Sequence, residues 1–285
     1  MARFLLSAFA DEAADGLNEQ IAALRAEGIG MIELRGVNGK SCADLTPGEA
    51  ERIAEALSRA GIGLSALGSP YGKYPIDRPF DAHLADFRRG LELCRILNCR
   101  RIRMFSFFMP RGDDPARWRD DVMGRLSVML EEAERAGVQL LHENEKGIYG
   151  DTDERCQDLL DRFGGRLGFI FDPANFIQCG VDPLRAFERL HDRITCMHIK
   201  DALKADGAVV RAGRGDGSLR QILSRVQLER SGDFVLTVEP HLTVFGGLKD
   251  LQRESLANGE VFNDRKYAFH AACDALKDIL KEVCP

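Results

Sequence analysis

The stretch Phe169-Ile170-Phe171-Asp172-Pro173-Ala174-Asn175 decides how the chain is read. A short apolar run with β-forming residues ends directly on an acidic side chain, and Pro173 stands where a helix can begin. The same pattern recurs on either side. Leu141-His142-Glu143-Asn144-Glu145 precedes it, and Met197-His198-Ile199-Lys200-Asp201 and Val238-Glu239-Pro240-His241 follow it. Working outward, strands are expected at Arg3–Phe9, Gly30–Leu34, Gly63–Leu67, Arg101–Phe105, Val138–His142, Gly168–Phe171, Ile194–His198 and Phe234–Glu239. Each is followed by polar, Gly or Pro punctuation and then by helical periodicity, as in Leu17, Ile21 and Leu24 or Phe269, Cys273, Leu276 and Leu280. Alternation of this kind predicts βαβ units around a parallel sheet.

Length and composition choose between the two ways of arranging such units. The 285 residues, 45% hydrophobic and 29% charged, exclude a disordered chain. They suit an eight-unit barrel, which typically takes roughly 250 residues. An open doubly wound sheet would show a Gly-rich phosphate turn after its first strand, whereas Phe9 is followed by Ala10-Asp11-Glu12. A (β/α)8 TIM barrel spanning residues 1–285 as one domain is therefore expected. One helix start is legible in detail: Thr46-Pro47-Gly48-Glu49 reads as an N-cap, a Pro at the first helical position and a capping box, and Gly61 closes that helix.

The 39 Lys and Arg against 45 Asp and Glu give a formal net charge of −6 without a basic tract, which argues against nucleic acid as a partner. No apolar run approaches the roughly 18 residues of a membrane helix, so no membrane partner is expected. The eight cysteines run from Cys42 to Cys284 without a CxxC pair. With no export leader, they read as free thiols of a cytoplasmic protein.

In a barrel the C-terminal strand ends are neighbours around one rim. Four successive strands finish on Glu143, Asp172, His198 and Glu239, so three carboxylates and an imidazole can converge. Singly, an acidic residue at a strand end reads as a helix cap or ion-pair partner, and His198 as a hydrogen-bonded core residue. Together they would repel unless a cation lay among them. One divalent metal ion is expected there, and oxygen-rich ligation with one His suits Mn2+, Co2+, Mg2+ or Zn2+.

The run His142-Glu143-Asn144-Glu145-Lys146-Gly147, the segment Phe171-Asp172-Pro173-Ala174-Asn175-Phe176, His198-Ile199-Lys200-Asp201, the loop Gly213-Arg214-Gly215-Asp216-Gly217 and Val238-Glu239-Pro240-His241 resemble the sugar phosphate isomerase/epimerase group of the xylose isomerase-like barrel superfamily. The resemblance implies one divalent metal held by Glu143, Asp172, His198 and Glu239, with Glu143 and Glu239 as the proton-transferring pair. It covers isomerases, epimerases, inosose and dehydroshikimate dehydratases, and apurinic endonucleases. The endonuclease branch carries a His where this chain has Asn175, and an Asp-x-His pair where Asp216 is followed by Gly217 and Ser218. A trinuclear zinc site thus lacks ligands. In the ketose 3-epimerases the residue matching Asn175 is a substrate-touching His.

The expected activity is isomerisation or epimerisation of a sugar or sugar phosphate by proton abstraction beside a carbonyl. The alternatives are a lyase dehydrating a keto-inositol or keto-sugar on the same site, and a non-catalytic carbohydrate-binding barrel. Substrate contacts are expected from Asn175, Lys200, Arg214 in its glycine-rich loop, and His241, with Asp201 fixing His198 from behind. Arg35, on the same strand face as Glu33, is a weaker candidate. His142 points away from Glu143 and is expected to pack. Glu145 reads as a gate or a cap, and Trp118 with Phe105-Ser106-Phe107-Phe108 as a lid or core wall. The long Leu242–Lys266 segment, with Gly246-Gly247 and Asn258-Gly259, is expected to close over the metal or to join subunits of a homo-oligomer.

Overall fold

Eight parallel strands close on themselves in the computed structural model, which describes residues 1–243 and 261–284. They are β1 (Ala2–Ala8), β2 (Met31–Leu34), β3 (Gly63–Leu67), β4 (Arg101–Met104), β5 (Gln139–Glu143), β6 (Leu167–Phe171), β7 (Ile194–Ile199) and β8 (Gly232–Val238). Each pairs with its sequence neighbours, and β1 closes the ring against β8 in register from Ala2↔Gly232 to Ala8↔Val238. That closure starts β8 at Gly232, two residues before the expected Phe234. It also leaves Glu239 just past the strand. Among the described residues the α-helices are α1 (Leu17–Ala26), α2 (Pro47–Ala60), α3 (Asp81–Ile96), α4 (Arg119–Arg135), α5 (Asp153–Phe163), α6 (Pro173–Gln178), α7 (Pro183–Leu190), α8 (Leu219–Glu229) and α9 (Arg265–Val283).

The period of two along a strand explains how the barrel is filled. Inside it, Ala66, Leu141, Ile170, Cys196 and Val235 form an apolar cluster joined by Leu5 and Met31. Two residues further along the same strand faces stand Glu143, Asp172, His198 and Thr237, with Ser7 and Glu33. The polar ring therefore rests on an apolar floor. The opposite strand faces, among them Leu140, Phe169, Met197 and Leu236, pack in the larger core with helix residues such as Leu126, Phe187 and Leu276. Burying one such side chain contributes about 1.5–3 kcal/mol, so the core carries the fold and leaves the rim to polar groups.

The capping box at α2 is complete. Thr46 Oγ1 accepts the Glu49 N–H at 3.3 Å, Glu49 Oε2 accepts the Thr46 N–H at 2.8 Å, and Gly61 ends the helix at φ 69°. Two short hairpins were not anticipated, Gly36–Val37 with Lys40–Ser41 and Asp201–Ala202 with Val209–Val210. Phe105, Ser106 and Phe107 are buried, so that run is a core wall and not a lid. All eight cysteines are free. Among the described residues no helix is long and apolar enough to cross a membrane. The proposed lid lies mostly outside the described residues, Gly246-Gly247 and Asn258-Gly259 included.

The loop from β3 to α3 is pinned at Gly72, whose φ is +85° and where a Cβ would stand 1.9 Å from the Phe105 carbonyl oxygen. Its N–H donates to His83 Nε2 at 3.0 Å, and the His83 ring stacks on Tyr74 with centroids 4.9 Å apart. Burial lowers the His83 pKa to about 4. The unfolded chain, with an ordinary value near 6.5, therefore takes up this proton first. The contribution is intact above about pH 6.5 and is lost as pH falls toward 4, at most roughly 3 kcal/mol. Denaturant midpoints measured between pH 7 and 4 should fall with pH in the parent and fall less steeply in His83→Gln.

Candidate metal centre

The residues expected to meet do meet. Glu143 closes β5, Asp172 follows β6, His198 lies in β7 and Glu239 follows β8, and all four are buried. One ligand atom from each lies within 4.8 Å of the others. His198 Nδ1 stands 2.9 Å from Glu143 Oε1 and 3.5 Å from Glu239 Oε2. Its other nitrogen, Nε2, stands 3.1 Å from Glu33 Oε2, and the edge of the ring meets Phe9.

Asp172 fills both roles open to an acid at a strand end. Its Oδ1 caps α6 by accepting the Asn175 N–H at 3.0 Å, and its Oδ2 lies 2.9 Å from Lys200 Nζ. The Asn144 side chain holds the Asp172 backbone in place, donating to its carbonyl and accepting its N–H, each at 2.9 Å. Asn175 donates to the Asn144 carbonyl at 2.9 Å and toward Glu143 Oε1 at 3.4 Å, so its amide supports the ring of ligands.

Cations stand against the carboxylates from outside the ring. Lys200 Nζ lies between Asp172 Oδ2 and Glu239 Oε2, 3.2 Å from the latter. Arg103 Nη1 is 3.3 Å from Glu143 Oε2. Arg35 pairs with Asp11 and Glu12 at 2.9 Å and with Glu239 at 3.3 Å. Burial raises Glu143, but His198 and Arg103 outweigh it and hold that carboxyl at about 2. Burial likewise opposes ionisation of Glu239, yet Lys200 and His241 bring it well below the ordinary range. At Asp172 burial wins over Lys200 and lifts the carboxyl to about 7. The three carboxylates thus do not share the ring as full anions at neutral pH.

This donor set fits a divalent cation. It offers three carboxylates and one imidazole on a buried ring, the oxygen-rich ligation of Mn2+, Mg2+, Co2+ or Zn2+. Glu143 Oε2 and Asp172 Oδ2 accept no well-formed hydrogen bond despite the nearby Arg103 and Lys200 nitrogens, so each keeps a lone pair for an ion.

One expectation is corrected. Asp201 does not reach His198, whose two nitrogens face Glu143 and Glu33. Its carboxylate instead accepts N–H groups from Ala202, Gly213, Gly215 and Gly217 at 2.8–3.0 Å. Those N–H groups therefore serve an internal carboxylate and not a substrate anion, and Arg214 stands exposed on the loop they shape. A Cβ at Gly215 would lie 2.4 Å from Asp201 Oδ1, which explains the glycine. His241 turns back beside Glu239 after Pro240. It adopts φ +47°, its N–H donates to Glu12 Oε2 at 2.6 Å, and its Nε2 comes within 3.2 Å of Glu239 Oε1.

Other neighbours were missed or undervalued in the sequence. Glu12, Asp11 and Arg103 signal nothing by spacing alone, because an acidic turn and an arginine inside a short strand are ordinary. Glu145 pairs with Lys73 at 2.7 Å across two loops. His142 packs as expected, stacked on Phe169 with its Nε2 2.9 Å from Ser106 Oγ.

A closed parallel barrel with an acidic, His-containing ring at its C-terminal rim defines a TIM barrel with a candidate metal centre. The chain belongs to the xylose isomerase-like TIM barrel family, which matches residues 21–253. Among curated relatives, a rhizopine catabolism protein of Rhizobium meliloti is 29% identical over 149 residues, 48% of this chain and 45% of that protein. An inosose dehydratase of Lacticaseibacillus casei is 30% identical over 94 residues, 31% of this chain and 32% of that protein. The matches thus span less than half of these relatives. In fold, the chain resembles the IOLI protein with a bound zinc atom, at TM-score 0.75 and 15% identity over 99% of both chains. It also resembles an L-ribulose 3-epimerase, at TM-score 0.72 and 18% identity over 99% of this chain and 96% of that one.

Lys200→Met removes the cation between Asp172 and Glu239 at nearly constant volume. The unmatched carboxylates should cost the ion-free protein roughly 3–5 kcal/mol. Calorimetric scans should show a lowered Tm, and added Mn2+ should restore more of it in the variant than it adds to the parent.

Proposed function

We propose that the protein is a divalent-metal-dependent isomerase or epimerase of a sugar or sugar phosphate. The observation that carries this reading is the pair Glu143 and Glu239, both buried and both turned to His198 Nδ1, on the carboxylate ring with Asp172. A binding pocket alone has no use for two such carboxylates. Family membership supports an enzyme of this group, and the likeness to an L-ribulose 3-epimerase shows that the same barrel architecture is used by a catalyst of that kind.

A bound ion supplies Lewis acidity to a substrate carbonyl and its neighbouring hydroxyl. Glu143 and Glu239 exchange the proton on the carbon beside that carbonyl. Both are held in the base form, Glu143 by His198 and Arg103, Glu239 by Lys200 and His241. If one takes the proton and the other returns it from the opposite face, the product is an epimer; return to the neighbouring carbon gives an isomer. Lys200, anchored on Asp172 and Glu239, would donate to a substrate oxygen.

A lyase reading has its own support in the relatedness to an inosose dehydratase. There the abstracted proton is followed by loss of a β-hydroxyl, and His241 beside Glu239 is a group able to protonate that leaving oxygen.

Incubation with ketoses, keto-inositols and their phosphates in deuterated water tests the reading. A substrate should gain deuterium beside its carbonyl, and Glu143→Gln and Glu239→Gln should each slow that exchange by about 10²–10⁴-fold while remaining folded. An epimer or isomer as product supports the first reading, and a conjugated carbonyl absorbance supports the lyase. Absence of exchange with every candidate in the ion-loaded protein would sink both.

A further inference from the structure

We infer that Glu33 is a positioning residue that decides which nitrogen of His198 is offered to a metal ion. The inference rests on the metal site of the proposed function. Glu33 lies on β2 where the register against β3 shifts between Ile32 and Glu33. Irregularities of this kind re-aim a side chain. Here the shift accompanies a carboxylate that is 2% exposed inside the barrel. Among the described residues no Lys or Arg pairs with it. Its Oε2 takes His198 Nε2 at 3.1 Å and the Thr237 hydroxyl at 3.0 Å, and its Oε1 is buried without a hydrogen bond.

A buried carboxylate with so little compensation is costly to the fold and needs another reason to be there. The imidazole supplies one. His198 is flanked by carboxylates on both sides, Glu143 at Nδ1 and Glu33 at Nε2. A ring that binds an ion carries one proton, and either carboxylate could accept it. If it sat on Nδ1, the ring would turn an N–H, and no lone pair, toward Glu143, Asp172 and Glu239. Glu33 draws the proton to Nε2, frees the Nδ1 lone pair and makes the ring a stronger donor. Thr237, one strand-face position before Glu239, steadies Glu33 and so ties the orientation of the ring to the strand that carries a ligand. The T-shaped contact with Phe9, 5.1 Å between centroids, holds the ring plane.

The test is Mn2+ titrated by calorimetry into ion-free protein, parent and Glu33→Gln. An amide can turn its NH2 to Nε2 and favour the wrong tautomer, so affinity should fall by about 10- to 100-fold. Glu33→Asp should recover part of the loss. In the zinc-loaded parent, 15N spectra of His198 should show the proton on Nε2 and the metal on Nδ1. Coordination through Nε2 would overturn the inference without any variant. So would parent-like affinity in folded Glu33→Gln, and the proposed function would then stand. If the parent takes up no stoichiometric Mn2+ or Zn2+, both fall together. Should Glu33→Gln fail to fold, Thr237→Val carries the measurement: a several-fold loss supports the role of Glu33, and unchanged affinity overturns it.

Discussion

Carboxylates cannot be gathered in a dry place without something to hold them, and the mouth of this barrel gathers seven: Asp11, Glu12, Glu33, Glu143, Glu145, Asp172 and Glu239. Their mutual repulsion, sharpened by the low dielectric of a buried site, is the constraint the surrounding structure answers. Arg35 spans Asp11, Glu12 and Glu239, Arg103 meets Glu143, Lys200 lies between Asp172 and Glu239, and Lys73 takes Glu145. Phe9 lies between the two guanidiniums, 4.3 Å from Arg35 and 5.0 Å from Arg103, so its ring face stabilises the cations that stabilise the acids. Four permanent cations against seven acids leave a deficit. That deficit lies in the central ring, where the Asp172 carboxyl is pushed up to about 7.

The barrel makes such a concentration tolerable through the period of its strands. Two residues below the polar ring the same faces carry Leu141, Ile170, Cys196 and Val235, so the charged layer rests on packed apolar side chains. The neighbouring strand ends supply the rest. Asp172 directly follows β6, caps α6 and is a candidate ligand, and one side chain can combine these roles because its two oxygens meet different partners. Asn144 and Asn175 lock this arrangement through backbone groups, which fixes the acids without adding charge.

The part of this design that was legible in the sequence is the part written in periodicity. Glu143, Asp172, His198 and Glu239 stand out because each terminates an apolar run, and closure of eight such runs forces them together. Groups that act across the barrel leave no such trace. Glu33 meets His198 across 165 positions and Arg35 meets Glu239 across 204, distances at which spacing says nothing. In the Gly213–Gly217 loop the N–H groups look the same in sequence whether they face an external anion or Asp201, which supplies one from twelve to sixteen residues away. His241 reaches Glu239 by a turn at positive φ, which strand periodicity does not foretell.

On the proposed function, the same constraint would let one ring serve several reactions. His198 supports both Glu143 and Glu239, while Arg103 adds to the first and Lys200 with His241 to the second. Two bases with partly separate support can differ in how readily each returns a proton, since His241 acts on Glu239 and Arg103 on Glu143. Epimerisation needs both to exchange protons with comparable ease, whereas loss of a hydroxyl needs one base and a separate acid. On that reading the choice of reaction would lie in the outer supports. The ligands, fixed by the strands, stay the same.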